Sequence, residues 1–422
     1  MLAGLPAIDA DAHVYEDPFL LTKRAPPELR EKLPQEFGRA LGYRFGNQIA
    51  HSSRGRWSAF EAGGWEGLRK YVDNVERGGS HVLSAQVTHD LFPGAAIMSD
   101  GTPWEPRYPE LPEHYDEKWY SPQYTVEALA RQGFDQAFLY PSVGLYLPCF
   151  DGMGPLGIEC CKIYNDWLLE FCSAAPDTLK PVALVSLHEP ALALQEIKRT
   201  HELGFAAVCL SRFPDGRTSA DPDLESLWEQ CERLGILISF HPVTSNIYLN
   251  NQPLEVPPSP FEFFNNNLFG QHFANLLIAG VLERHPNLRI ALLESGCGWL
   301  PMVLWRLERM FFEAQKRDDV WGRSIPRLLA KMSREQLAEN IKMRPVDYFR
   351  RQCYIACEAE PFVTDVANLI GEDRLVFQGD FPHPDHHPSY IQDFVELVPR
   401  HLCKRILWDN PRAMYGQAWN ES

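Results

Sequence analysis

Basic residues are scarce in this 422-residue chain: 40 Lys+Arg stand against 56 Asp+Glu, a formal charge of −16. That deficit argues against nucleic acid or an anionic membrane as partner, since both need a basic footprint. No C-x-x-C pair occurs among the ten cysteines, so a zinc ribbon or thioredoxin-like redox pair has no support. The N-terminal "MLAGLPAIDADAH" lacks a basic region followed by a long apolar one, so it does not read as a signal peptide. The longest apolar run, "FANLLIAGVL", is far too short to span a bilayer. Also missing are a G-x-S-x-G elbow, a G-x-x-x-x-G-K-[ST] phosphate loop and a strand-linked G-x-G-x-x-G. The "SGCG" at 295–298 reads as a strand-to-helix turn. These absences leave the expectation of a soluble, reduced, cytoplasmic protein that acts on a small molecule.

What is present is an orderly alternation. Apolar runs suited to buried parallel strands recur at 5–14, 136–143, 179–187, 206–212, 236–242, 288–296, 353–358 and 374–380. Amphipathic stretches lie between them. "DPDLESLWEQCERLG" offers Asp221 as N-cap, Pro222 at the first helical position and Gly235 as the stop. Single helices also fit "QHFANLLIAGVLERHP" and "PSYIQDFVELVPRHLCKRIL". Eight strand–helix units predict an α/β fold, a (β/α)8 TIM barrel. Such a barrel needs about 250 residues, so the excess implies insertions. A long one after strand 1 (about 17–121) is rich in Trp, Tyr, Pro and Gly, and a shorter one before strand 7 covers about 317–352. Residues 1–422 are expected to form one elaborated domain. The first insertion, with Trp57, Trp65, Trp104 and Trp119, would cap the mouth or make a subunit contact, and a homodimer is expected.

Barrel chemistry sits at the C-terminal ends of the strands. Those ends carry Asp11 and His13, His188, His241, Glu294, Glu358 and Asp380, with Glu16 just beyond strand 1. Strands two and four offer Ser142 and Arg212 instead. A lone His or Asp at a strand end is ordinarily a helix cap or a satisfied polar group. Metal-ligand residue types at five or six of eight ends point instead to a cation at the barrel mouth. Packing suffices for Cys297 and Cys357, beside the two glutamates.

The segments "DADAHVYE", "ISFHP", "AGVLERHPNLRIALLESGCGWLPMVLWRLE", "RQCYIACE" and "VFQGDFPHPD" resemble the amidohydrolase superfamily, in its amidohydrolase-related (amidohydrolase 2) branch. The resemblance spans nearly the whole barrel in the right order. It implies a metal held by Asp11, His13, His241 and Asp380, and marks His383 as an active-site loop residue. The chain departs from many relatives in having Asp11 for the first His of strand 1 and Glu294 for a His after strand 6. Strand 4 lacks the lysine that bridges two zinc ions elsewhere in the superfamily. The ligand types suit a divalent ion, zinc, manganese or iron, as one ion or two. Glu16, Glu358 and His386 are secondary candidates for the metal. Three chemistries stay open: hydrolysis by a metal-activated water, with Asp380 taking the proton, Glu294 as ligand or second base, and His188 or His383 donating to the oxyanion; decarboxylation, its near relative in this branch; and oxygenation by a dinuclear iron or iron–manganese centre.

Overall fold

The computed structural model describes residues 4–16, 20–30, 121–149, 154–211, 213, 217–242, 260–310, 334–382 and 390–416. Eight strand positions follow in chain order: β1 (Ile8–Val14), β2 (Gln136–Pro141), β3 (in two pieces, Leu179–Pro181 and Ala183–Leu184), β4 (Ala207–Leu210), β5 (Leu237–Phe240), β6 (Arg289–Leu292), β7 (Cys353–Cys357) and β8 (Leu375–Phe377). Every pairing is parallel. The ladders form a three-stranded and a six-stranded sheet, and backbone hydrogen bonds join their edges. Val182 N–H donates to Leu139 O across the break in β3. At the other edge Asp380 N–H donates to Asp11 O at 3.2 Å and His13 N–H to Phe381 O at 2.6 Å, tying the end of β8 to β1. The ring is the (β/α)8 barrel that the apolar runs predict.

Strands sheathed on one face by helices and packed on the other into a barrel interior should be buried throughout, and β1, β3, β4, β5, β7 and β8 are. Local signals set many element ends. Ser121 Oγ caps the helix Pro122–Gln132, which stops at left-handed Gly133 (φ 94). Asp221 does cap the segment expected of it, accepting from Asp223 N–H, but a 3₁₀ turn (Pro222–Leu224) precedes the helix Glu225–Leu234.

Two expected helices are broken. The first runs Pro260–Ile278 and restarts at Val281–Arg284, because Gly280 takes a left-handed φ of 73. The second splits into Tyr390–Leu397 and Arg400–Lys404 at Pro399, which has no N–H to continue the ladder. Of the first insertion only Leu20–Arg24 and Pro27–Arg30 are helices within the described residues; Trp57, Trp65, Trp104 and Trp119 lie outside them. The second contributes Arg334–Asn340 and Pro345–Gln352. Among the described residues no helix is long and apolar enough to cross a membrane.

Candidate metal centre

β1 is irregular where it matters. Its register against β2 shifts between Asp9 and Ala12, so one extra residue is accommodated there. Such bulges re-aim side chains at the rims of barrels. Asp11 within it and His13 just past it turn to one place, both fully buried.

The two histidines have their tautomers set by carbonyls. His13 Nδ1 lies 2.9 Å from Pro141 O and His241 Nδ1 2.8 Å from Pro242 O. A carbonyl only accepts, so each Nδ1 carries the hydrogen and a neutral ring presents a bare Nε2. Those two Nε2 atoms face each other at 3.2 Å. Two lone pairs at that distance repel unless positive charge lies between them. Three carboxylates surround the pair. Asp11 Oδ1 is 3.5 Å from His241 Nε2 and 3.9 Å from His13 Nε2. Asp380 Oδ1 is 3.1 Å from His13 Nε2, and Glu294 Oε2 is 2.9 Å from His241 Nε2. Donors bonded at about 2.1 Å to a common ion stand roughly 3–4 Å apart, which matches this spread. Neither Asp11 oxygen meets a donor in a well-formed hydrogen bond among the described residues, though both are buried. A buried carboxylate in that state is costly unless a cation or a proton meets it. The donor set therefore fits a divalent ion.

The electrostatics agree. Burial alone pulls the His241 pKa down, but the charges of Glu294 and Asp11 outweigh it and raise it to about 10. Burial raises the Asp11 pKa, with His241 opposing. Without an ion, then, a proton supplies the positive charge, and its place on His241 faces Glu294. The Tyr140 ring stacks on the His241 ring at 5.5 Å and forms the floor beneath it.

Glu294 and Asp380 share a peculiarity. Both have a φ of 54, the left-handed region that non-glycine residues rarely enter. Each is held there by its neighbours: Glu294 N–H donates to Gln378 Oε1 at 2.8 Å, and Asp380 N–H to Asp11 O. Just before Asp380, Gly379 N–H donates to Asp9 Oδ1 at 2.7 Å. Asp9 is fully buried beneath the site and also accepts from Asp11 N–H, while burial raises its pKa to about 7.

The remaining candidates go elsewhere. Among the described residues, the groups able to hold a metal are Asp11, His13 and His241, and His13, Glu294 and Asp380. Glu16 turns to Ser142 N–H (3.0 Å) and Gly144 N–H (2.9 Å), securing the turn after β2. Glu358 Oε1 accepts from Gln378 Nε2 at 2.7 Å. His188 stands half-buried at the exit of β3, on the same rim. His383, His386 and Arg212 lie outside the described residues. Cys297 and Cys357 are buried, and burial pushes both thiols up, which keeps them protonated. Sequence reasoning passed over Asp9, Gln378 and Glu360. Their signal was faint: a polar residue inside or just past an apolar strand, as in "PAIDADA" and "LVFQGD".

Comparison with known proteins places this geometry in a family. The family model described as amidohydrolase matches residues 8–417. The gamma-resorcylate decarboxylase of Rhodococcus jostii is 26% identical over 242 residues, 53% of this chain and 67% of that protein. The 2-amino-3-carboxymuconate-6-semialdehyde decarboxylase of Dictyostelium discoideum is 22% identical over 250 residues, 59% of this chain and 61% of that protein. Among solved structures, a dihydroxybenzoic acid decarboxylase from Polaromonas sp. JS666, with bound manganese and 2-nitroresorcinol, superposes with a TM-score of 0.56 at 21% identity. That superposition covers 71% of this chain and 86% of the other, and shows a shared fold. With a family model matched from β1 to the C-terminal helix, this chain belongs to the amidohydrolase family.

Proposed function

We propose that this chain is a divalent-metal-dependent decarboxylase of a small hydroxylated aromatic acid. The observation carrying the reading is the facing pair of imidazole nitrogens, His13 Nε2 and His241 Nε2, ringed by the carboxylates of Asp11, Glu294 and Asp380. Two imidazoles suit zinc, and the added carboxylate oxygens move the preference toward manganese or iron. The five donors fall into two sets that share His13, one of Asp11, His13 and His241 and the other of His13, Glu294 and Asp380, which one ion or two could occupy. Both curated relatives named above are decarboxylases, which favours loss of carbon dioxide over hydrolysis as the use of the site. Oxygenation draws no support from these relatives.

In the proposed reaction the bond from the ring carbon to its carboxyl carbon breaks and carbon dioxide leaves. The electron pair stays on the ring carbon, which then takes a proton. A divalent ion bound among these donors would supply Lewis-acid charge to the substrate oxygens. His13 and His241 would hold it through Nε2, since their Nδ1 hydrogens are engaged by the carbonyls of Pro141 and Pro242. Asp11, fully buried, would add a carboxylate ligand. Asp380, at the exit of β8, delivers the proton to the vacated ring carbon from its carboxyl group and regains one from water. Glu294 has the most open side chain of the five, at 13% exposure, and serves as ligand or as a second base facing the substrate. His188, half-buried on the same rim, donates a hydrogen bond to the departing carboxylate.

The test is direct. Protein loaded with Mn2+ and incubated in deuterium oxide with 2,6-dihydroxybenzoate and other ortho-hydroxybenzoates should release carbon dioxide and place deuterium on the vacated carbon. Chelated protein should do neither. Hydrolysis of amides or lactones by the same preparation, with no carbon dioxide from any acid, would overturn the proposal.

A further inference from the structure

Glu294 reaches the site from a turn that does not hold its shape unaided. Its own φ is left-handed at 54, and Gly296 follows at 59. The turn is gripped by side chains from the next two strand ends. Glu360 accepts from Cys297 N–H at 2.9 Å and Gly298 N–H at 3.1 Å, which secures its far half. The near half, Glu294 itself, is held through Gln378, a buried residue directly after β8. Gln378 Oε1 accepts from Glu294 N–H at 2.8 Å, and Gln378 Nε2 donates to Glu358 Oε1 at 2.7 Å.

The orientation of that amide is dictated by its surroundings. A backbone N–H can only donate and an ionised carboxylate can only accept. The amide therefore has one orientation that satisfies both, with oxygen toward Glu294 and nitrogen toward Glu358. Reversing it would oppose N–H to N–H and oxygen to oxygen. Glu358 sets the polarity, Gln378 transmits it, and the Glu294 backbone receives it.

We infer that Gln378 and Glu358 are positioning residues that fix Glu294 beside His241, and through it the donor geometry of the metal centre. The inference rests on the metal reading proposed above. It gives Glu358 a role other than ligand, and it assigns a function to a glutamine that touches neither ion nor substrate. Partners of this kind, standing behind the donor residues, orient them and tune affinity for the ion.

The experiment is Co2+ titration of the full chain, followed by the visible absorption of the bound ion, which reports ligand number and geometry without any substrate. Gln378→Leu removes both bonds, and Gln378→Glu sets a carboxylate against Glu358. Each should weaken Co2+ binding by about 10–100-fold and change the absorption band. The double exchange Gln378→Glu with Glu358→Gln rebuilds the same pattern in reverse roles. Glu at 378 still accepts from Glu294 N–H, and Gln at 358 becomes the donor. It should return affinity and spectrum close to wild type. Single variants that bind Co2+ with wild-type affinity and spectrum would overturn the inference, as would a double exchange no better than Gln378→Glu. Should the single variants not fold, the double exchange decides: wild-type binding supports the relay, and an unfolded or weakly binding protein refutes it. A wild-type chain that takes up no Co2+ overturns the metal reading and this inference with it. Tight wild-type binding with indifferent variants overturns the inference alone.

Discussion

Loading the metal centre should expel a proton, and the pH dependence of loading measures it. Without an ion, His241 has a pKa raised to about 10 by Glu294 and Asp11. At pH 7 an incoming ion therefore competes with a proton bound three units more tightly than the solution demands. That competition removes about 4 kcal/mol from the intrinsic affinity, and each unit rise in pH restores about 1.4 kcal/mol, or tenfold. The Kd for Mn2+ should fall about 100-fold between pH 6 and 8. Asp11, whose pKa burial also raises, adds to the release wherever it is protonated. Isothermal titration of chelator-treated protein, in two buffers of different ionisation enthalpy, should count at least one proton released per ion. The sign for stability follows from the same proton. A folded-state pKa above the unfolded value stabilises the ion-free fold fully below about pH 6.5, and this contribution is lost as pH rises through about 10. Chelated protein should thus lose Tm between pH 8 and 10 relative to loaded protein. A pH-independent Kd with no proton released would refute the reasoning, because His241 Nε2 would then be bare before the ion arrives.

His272 gives a separate acid effect. It lies buried, stacked on Phe240 at 4.6 Å, and burial lowers its pKa to about 3. A depressed value means its neutral form stabilises the fold above the unfolded pKa, with the contribution lost as pH falls from about 6.5 toward 3. Urea midpoints for wild type should drop by the equivalent of about 2 kcal/mol between pH 7 and 5, and His272→Phe should remove that slope. Gly379→Ala should cost about 3 kcal/mol, because the added Cβ would overlap Asp9 Oδ2 and stand 2.8 Å from Phe134 Cζ. Urea titration would read that loss, and an unchanged midpoint would mean that Asp9 and Phe134 move aside for the added Cβ without cost. Glu16→Ala should lower stability by about 2–3 kcal/mol, since the Ser142 and Gly144 N–H groups lose their acceptor. Its metal content should stay at the wild-type level, and loss of the ion would return Glu16 to the ligand set.

Much of the architecture was legible because parallel strands covered on both faces must be apolar along their length, a constraint that acts within a few residues. All eight runs contain a strand of the barrel. The candidate ligands were legible for a related reason: Asp11, His13, His241, Glu294 and Asp380 interrupt or end apolar runs, and a barrel collects its strand ends on one rim. The helix breaks at Gly280 and Pro399 were written in the sequence as residue types, yet the amphipathic pattern ran through them. Glu358 and Gln378 were harder. Glu358 has the residue type of a ligand, and no local signal tells that its carboxylate turns to an amide twenty residues away instead.

Chain order and residue type were enough to establish eight apolar strands, their helices and a rim bearing acids and imidazoles, since hydrophobic burial is read locally along the chain. The tertiary structure alone decided the bulge that turns Asp11 inward, the carbonyls that fix both histidine tautomers, and the relay from Glu358 to Glu294. Each of these depends on hydrogen bonds or register between segments remote in sequence, and the direction of a donor or acceptor is settled only when both partners are in place.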